Sequence, residues 1–124
     1  MIVVWHLVLL KPRADLGAGG RRHFADTFRQ AVSAIPSVRG VRFGRRLLHG
    51  ADYERTAPDA GDFVAIIEFD DRDGLQRYLA HPAHDALGAA FGELLSAALV
   101  YDFEMLAGNR GELIAALEPF IEDL

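Results

Sequence analysis

The sequence predicts an α+β fold, a four-stranded antiparallel sheet with its helices packed on one face. Three observations carry that expectation. Segments of strand and helix character follow one another in the order strand, helix, strand, strand, helix pair, strand. The helical segments carry one apolar stripe each, which requires a single sheet face to pack on. The first and third strands are apolar on both sides, so the opposite sheet face must also be covered. Soluble monomers rarely leave so wide an apolar surface open, and a second copy of the same sheet is the simplest cover.

Residues 2–10, IVVWHLVLL, are nearly all apolar and rich in Val and Leu, as a strand covered on both faces should be. Lys11-Pro12 ends it, and residues 12–20, with three glycines, read as a loop. Phe24, Phe28, Val32 and Ile35 then recur at helical spacing until Pro36 stops the helix. Residues 38–48 read as the second strand, with Val41 and Phe43 alternating against Arg42 and Gly44. Gly50, Pro58 and Gly61 mark a polar hairpin loop over 49–61. The third strand, 62–69, places Phe63, Ala65, Ile67 and Phe69 on one face. Asp70 or Asp71 caps a short second helix that turns Leu75, Tyr78 and Leu79 inward. Pro82 suits the first position of a third helix, with His81 just outside it; this helix is expected to run to about Ala97. Residues 98–105 form the fourth strand. The expected division is a domain over 1–105 and a C-terminal helical extension over 106–124. In that extension Leu113, Ile114, Leu117 and Phe120 make an apolar stripe interrupted at Pro119. The stripe is expected to bury on its own barrel or on a partner subunit.

Composition narrows the function. The chain has 124 residues, of which 51% are hydrophobic, enough for one domain with an ordinary core. With no cysteine, a disulfide scaffold, a thiolate zinc site and a cysteine nucleophile are excluded. No segment reaches the roughly 18 apolar residues that span a bilayer, and residues 2–10 lack the flanks of a signal peptide, so a cytoplasmic, membrane-free setting is expected. The net charge of −5 argues against nucleic acid as a partner. Its distribution is uneven: residues 11–46 carry nine Lys or Arg against two acids, and those after 46 carry four against sixteen. The two halves either interleave and neutralise each other or leave a basic patch for an anion.

The stretch His81-Pro82-Ala83-His84 is the most informative for chemistry. His84 falls on the helix face of Leu87, Gly88, Phe91 and Leu95, so it should point inward. Burial and the positive end of the helix dipole both disfavour its protonation, which suits a general base. Tyr78, on the inward face of the preceding helix, can orient or donate to a substrate oxygen. His6 shares its strand face with Val4, Val8 and Leu10, where an imidazole is either a core group or a cavity wall. His81 is either a helix cap or a ligand contact. A metal is the competing use of His81 and His84, but these two straddle the helix start and need not converge.

These residues resemble the stress-responsive dimeric α/β barrel, or Dabb, family. The resemblance is carried by His6–Lys11, Ile35–Gly40, Ile67–Asp70, Tyr78–His84 and Val100–Glu104, and it covers residues 1 to about 105. It implies a ferredoxin-like fold, two subunits packing their sheets into an α+β barrel, and a cavity in each subunit. In a polyketide-cyclase branch of the family, the Tyr and second His of a Tyr-x-x-His-Pro-x-His stretch act in catalysis. The resemblance therefore implies catalytic roles for Tyr78 and His84, with the first-strand His6 lining the cavity. That branch carries a further cavity histidine where this chain has Phe63. Other barrels of this superfamily are lactone isomerases, monooxygenases and haem-degrading enzymes.

The expected function is thus a homodimer whose cavity takes a small, largely apolar carbonyl compound. His84 and Tyr78 are its catalytic pair, and His6, His81, Phe63 and Phe91 are its substrate contacts. No cofactor or metal is invoked. The alternatives are a non-catalytic, stress-related dimer and a monooxygenase-like or metal-binding member of the superfamily.

Overall fold

The computed structural model describes residues 2–106 and 108–124, apart from the side chains of Ile114, Ala115 and Pro119. The order is β1 (Ile2–Pro12), α1 (Ala18–Ala34), β2 (Gly40–Arg45), β3 (Phe63–Phe69), α2 (Arg72–Ala80), α3 (Pro82–Leu94), β4 (Leu95–Leu106), α4 (Arg110–Ala116) and α5 (Glu118–Ile121). The four strands form one sheet in the order β2-β3-β1-β4, every pair antiparallel. The helices α1, α2 and α3 cover one face, with α1 lying against α3. This is the α+β sheet-and-helix layer that the sequence pattern predicts.

The register explains the core. Along β1 the residues Val4, His6, Val8 and Leu10 are buried, alternating with half-buried neighbours. They stand opposite Phe69, Ile67, Ala65 and Phe63 of β3. Tyr78, Phe69, Leu10 and Ile67 are the largest fully buried side chains. Each such burial stabilises the fold by about 1.5–3 kcal/mol, so this strip of β1 and β3 dominates the core. The other sheet face presents Trp5, Leu7 and Leu9, with Val64 and Ile66 beside them. On β4 that face continues through Tyr101 and Phe103, which are well exposed.

Several boundaries differ from the sequence pattern. The α1 helix begins at Ala18 and takes in Gly19 and Gly20, so the glycine loop is shorter than expected. A Cβ on Gly20 would require the Leu16 side chain to shift. Strand β4 begins at Leu95, and α3 ends at Leu94 rather than near Ala97. Leu95 to Ala98 is helix-prone by composition, but pairing with Leu10 to Pro12 of β1 claims it for the sheet. Strand β2 stops at Arg45, three residues early, and leaves Leu47 and Leu48 exposed. Leu79 is partly exposed, though it also lines the cavity described below. The cap of α2 is Asp71, whose carboxylate accepts from the Gly74 N–H at 2.9 Å. The extension breaks at Leu117, just before Pro119, into α4 and α5. Of its stripe, Leu113 and Leu117 are exposed and Phe120 is half-buried, while Ile114 lies outside the described residues.

Candidate active site

The turn between α2 and α3 assembles the site. Pro82 opens α3, and the ring Nδ1 of His81 accepts the Ala83 N–H at 3.0 Å, so His81 is the N-cap. This cap fixes where the first turn of α3 points and delivers His84 to the sheet side. Tyr78, in the last turn of α2, reaches the same place. His6 arrives from the middle of β1.

The three rings are arranged around Tyr78. Its ring centroid lies 4.9 Å from that of His84 and 5.6 Å from that of His6, both edge-to-face. Phe69 supports the phenol from behind at 5.2 Å. A cavity of about 320 Å³ opens beside them. His6, Tyr78 and His84 supply its polar groups, and Phe28, Ile67, Leu87, Phe91 and Val100 its apolar walls. The size and the few convergent polar groups suit a small, largely apolar ligand.

The electrostatics separate the groups. Burial holds the His84 imidazole below its ordinary value, and the neighbouring His6 adds to that effect. Asp85 and the Leu79 carbonyl oppose both. Burial alone pushes the Tyr78 phenol up to about 12. At neutral pH His84 is therefore a neutral imidazole able to take a proton, and Tyr78 is a protonated donor. The helix N-terminus beside His84 favours the same neutral state.

Of the six expected site residues, four meet here: His6, Tyr78, His84 and Phe91. The other two lie elsewhere. His81 does not line this cavity, because its ring caps the helix. Phe63 lines a second cavity of about 220 Å³, with Leu10, Phe24, Phe43 and Leu95. The register sets that distance: His6 pairs with Ile67, while Phe63 pairs with Leu10, four residues further along β1. A run of aromatic contacts, Phe91–Phe24–Phe28–Phe43–Phe63, with centroids 5.5–6.3 Å apart, lies between the two cavities. The His81 Nδ1, one of the nitrogens a metal pair with His84 would offer, is engaged by the backbone. Among the described residues no three His, Asp or Glu side chains are grouped as a metal site requires.

One residue of the site was not anticipated. Asp102 of β4 stands directly opposite His6, and its Oδ1 lies 2.6 Å from the His6 Nδ1. An ionised carboxylate there accepts the Nδ1–H and fixes the ring's tautomer. The parity of β4 puts Val100 and Asp102 on one face, but only the register with β1 joins Asp102 to His6.

Comparison with known proteins agrees with this architecture. The sequence profile of the stress responsive A/B barrel domain, Dabb, matches residues 4–105. Olivetolic acid cyclase of Cannabis sativa is 22% identical over 102 residues, which is 82% of this chain and 96% of the cyclase. A dimeric ferredoxin-like protein of unknown function from Thermobifida fusca superposes with a TM-score of 0.65 at 22% identity, over 84% of this chain and 92% of that one. Hydroxynitrile lyase from Passiflora edulis superposes with a TM-score of 0.71 at 11% identity, over 86% and 96%. At these identities the structural likenesses establish the ferredoxin-like fold, which carries different activities in different proteins. With the family profile matching most of its length, the chain belongs to the Dabb family of stress-responsive A/B barrel domains.

Proposed function

We propose that this protein is a homodimer whose cavity binds a small, largely apolar carbonyl compound and moves a proton on it without a cofactor. His84 takes a proton from the carbon next to the carbonyl. Tyr78 hydrogen-bonds the oxygen on which charge then develops, and the product is a cyclised or isomerised compound. His6 and Phe91 contact the substrate. The observation that carries the reading is the placement of a neutral, half-buried His84 and a protonated Tyr78 at ring contact, 4.9 Å, on the wall of an apolar cavity. The cyclase from Cannabis sativa, related across 82% of this chain, supports a cyclised product.

The dimer is supported by the uncovered sheet face that carries Trp5, Tyr101 and Phe103, and by the dimeric relative from Thermobifida fusca. Exposed Leu113 and Leu117 of the extension are proposed to bury against the partner. Truncation after Met105 then weakens the dimer in sedimentation; an unchanged profile and unchanged stability contradict that role. No helix among the described residues is long and apolar enough to cross a membrane, and the cytoplasm is the proposed compartment.

Binding is the first test. Titration with a panel of β-diketones and lactones, read by side-chain resonances, is expected to perturb His84, Tyr78 and Phe91. Perturbation confined to Phe63 and Phe43, or none for any member of the panel, would overturn the reading.

A further inference from the structure

Asp102 and His6 form a pair that the proposed reaction leaves unused. His6 is buried in mid-strand, 5% exposed, and its Nδ1 lies 2.6 Å from the Asp102 carboxylate. A hydrogen bond of that length to a carboxylate is a charge-assisted one. It commits one ring nitrogen, so Nε2 is left for the cavity that His6 lines beside Tyr78 and His84. Asp102 itself opens on the other side. Its side chain is 45% exposed and lines a separate groove of about 510 Å³, together with Arg72 and Glu104. The pair thus links the apolar cavity to a solvent-open groove. Among the described residues no carboxylate bonds the His84 ring as Asp102 bonds that of His6; Asp85, whose charge acts on His84, is an exposed sequence neighbour.

We propose that His6 is a second proton-transfer group of the cavity, acting through Nε2, and that Asp102 is its positioning residue. The inference rests on the reading of His84 as base and adds the group that returns the proton. The substrate C–H bond next to the carbonyl breaks, its proton goes to His84, and its electron pair forms an enolate held by Tyr78. The enolate, or the oxygen that inherits its charge after ring closure, takes a proton from Nε2–H of a doubly protonated His6. His6 is left neutral with Nδ1–H on Asp102. It regains a proton from water in the groove, and His84 releases one to water. No oxidant, reductant or co-reactant is needed. The arrangement of carboxylate, imidazole and reacting atom is one in which the carboxylate sets the tautomer and the imidazole moves the proton.

Two measurements test it. Long-range 1H–15N spectra of the intact protein, above the pH at which its histidines titrate, read the His6 tautomer directly. The expected result is a protonated Nδ1 and a bare Nε2, with the preference lost in Asp102→Ala. A bare Nδ1, or a tautomer indifferent to Asp102→Ala, overturns the proposal. Turnover of a β-diketone supplies the second measurement. His6→Gln and Asp102→Ala are expected to lower kcat about tenfold to a hundredfold with little change in KM. If His84→Gln abolishes turnover while His6→Gln keeps it in full, the pair is refuted and the base survives. If His84→Gln is itself fully active, the base reading fails first, and the tautomer remains an independent check on the pair.

Discussion

Two cavities occupy the same layer between sheet and helices, and they differ in chemistry rather than in construction. Both are floored by the inward residues of β1 and β3 and walled by phenylalanines of α1. The first holds His6, Tyr78 and His84; the second holds Leu10, Phe24, Phe43 and Phe63, with Arg21 the one charged side chain on its lining among the described residues. One strand makes the difference. Its inward positions run Val4, His6, Val8, Leu10, so polarity enters at one place and is gone four residues later. The α2–α3 turn adds Tyr78 and His84 at that same level and nothing at the other. Reactive groups thus share a small volume, while the adjoining volume contributes shape and stability. In a fold shared by proteins of different activity, the positions facing the sheet at that level decide what the protein does.

The largest effect is expected in the first cavity. Tyr78→Phe removes the donor to the developing charge and should lower kcat by about 10²–10³, the usual cost of one such donor. It also alters stability in a predictable direction. The folded phenol titrates at about 12 against an ordinary 10, so the stability it contributes is fully present below 10 and is lost as pH rises toward 12. Tyr78→Phe should remove that alkaline loss, seen by thermal melts between pH 9 and 12. A profile identical to wild type would place the phenol in a wetter site than its 1% exposure allows.

Next in size is Leu10→Ala, in the second cavity. Leu10 is 1% exposed, and the truncation should cost about 2–5 kcal/mol in denaturant unfolding. Turnover of the folded fraction should barely change. A strong loss of kcat with stability intact would mean that the two cavities are one functional unit.

The pH dependence sharpens the comparison further. His84 is held below its ordinary value of 6.5, chiefly by burial. Turnover should therefore persist as pH falls past 6.5 and decline only at the lowered value. The stability contribution has the same sign: it is present above 6.5 and lost as pH falls through the folded value. His84→Gln should abolish that acid dependence in thermal melts. An acid limb centred above 6.5 would contradict the buried, neutral ring.

The smallest effect is expected from Phe63→His. In the cyclase branch a histidine at this position belongs to the reactive cavity, but here the position faces Phe43 and Leu10. The substitution should leave turnover within about threefold, as sites separated by a packed wall behave independently. A large gain or loss would show that Phe63 contacts the substrate.

How much of this was legible in the sequence follows from range. Alternation along β1 and β3 identified the inward face and so placed His6, Ala65 and Ile67 correctly. The Pro82 and His81 pattern located the helix start, and from it the direction of His84. What escaped depended on pairing between distant strands. Nothing local says that Asp102 lies opposite His6, 96 residues away. Nothing local says that Leu95 belongs to a strand, because only β1 supplies its hydrogen-bond partners. Phe63 was assigned to the reactive cavity from its place at the start of β3. The register moved it to the other cavity, opposite Leu10. Short-range periodicity thus revealed the faces, and long-range register decided which residues share a site.

The central claim is that the first cavity performs proton transfer through His84. Its most direct test is single-turnover kinetics of wild type and His84→Gln on a β-diketone that binds both proteins. The account predicts a loss of about 10²–10⁴ in rate with binding retained, the range typical of a removed acid–base group. Equal rates in the two proteins would contradict it.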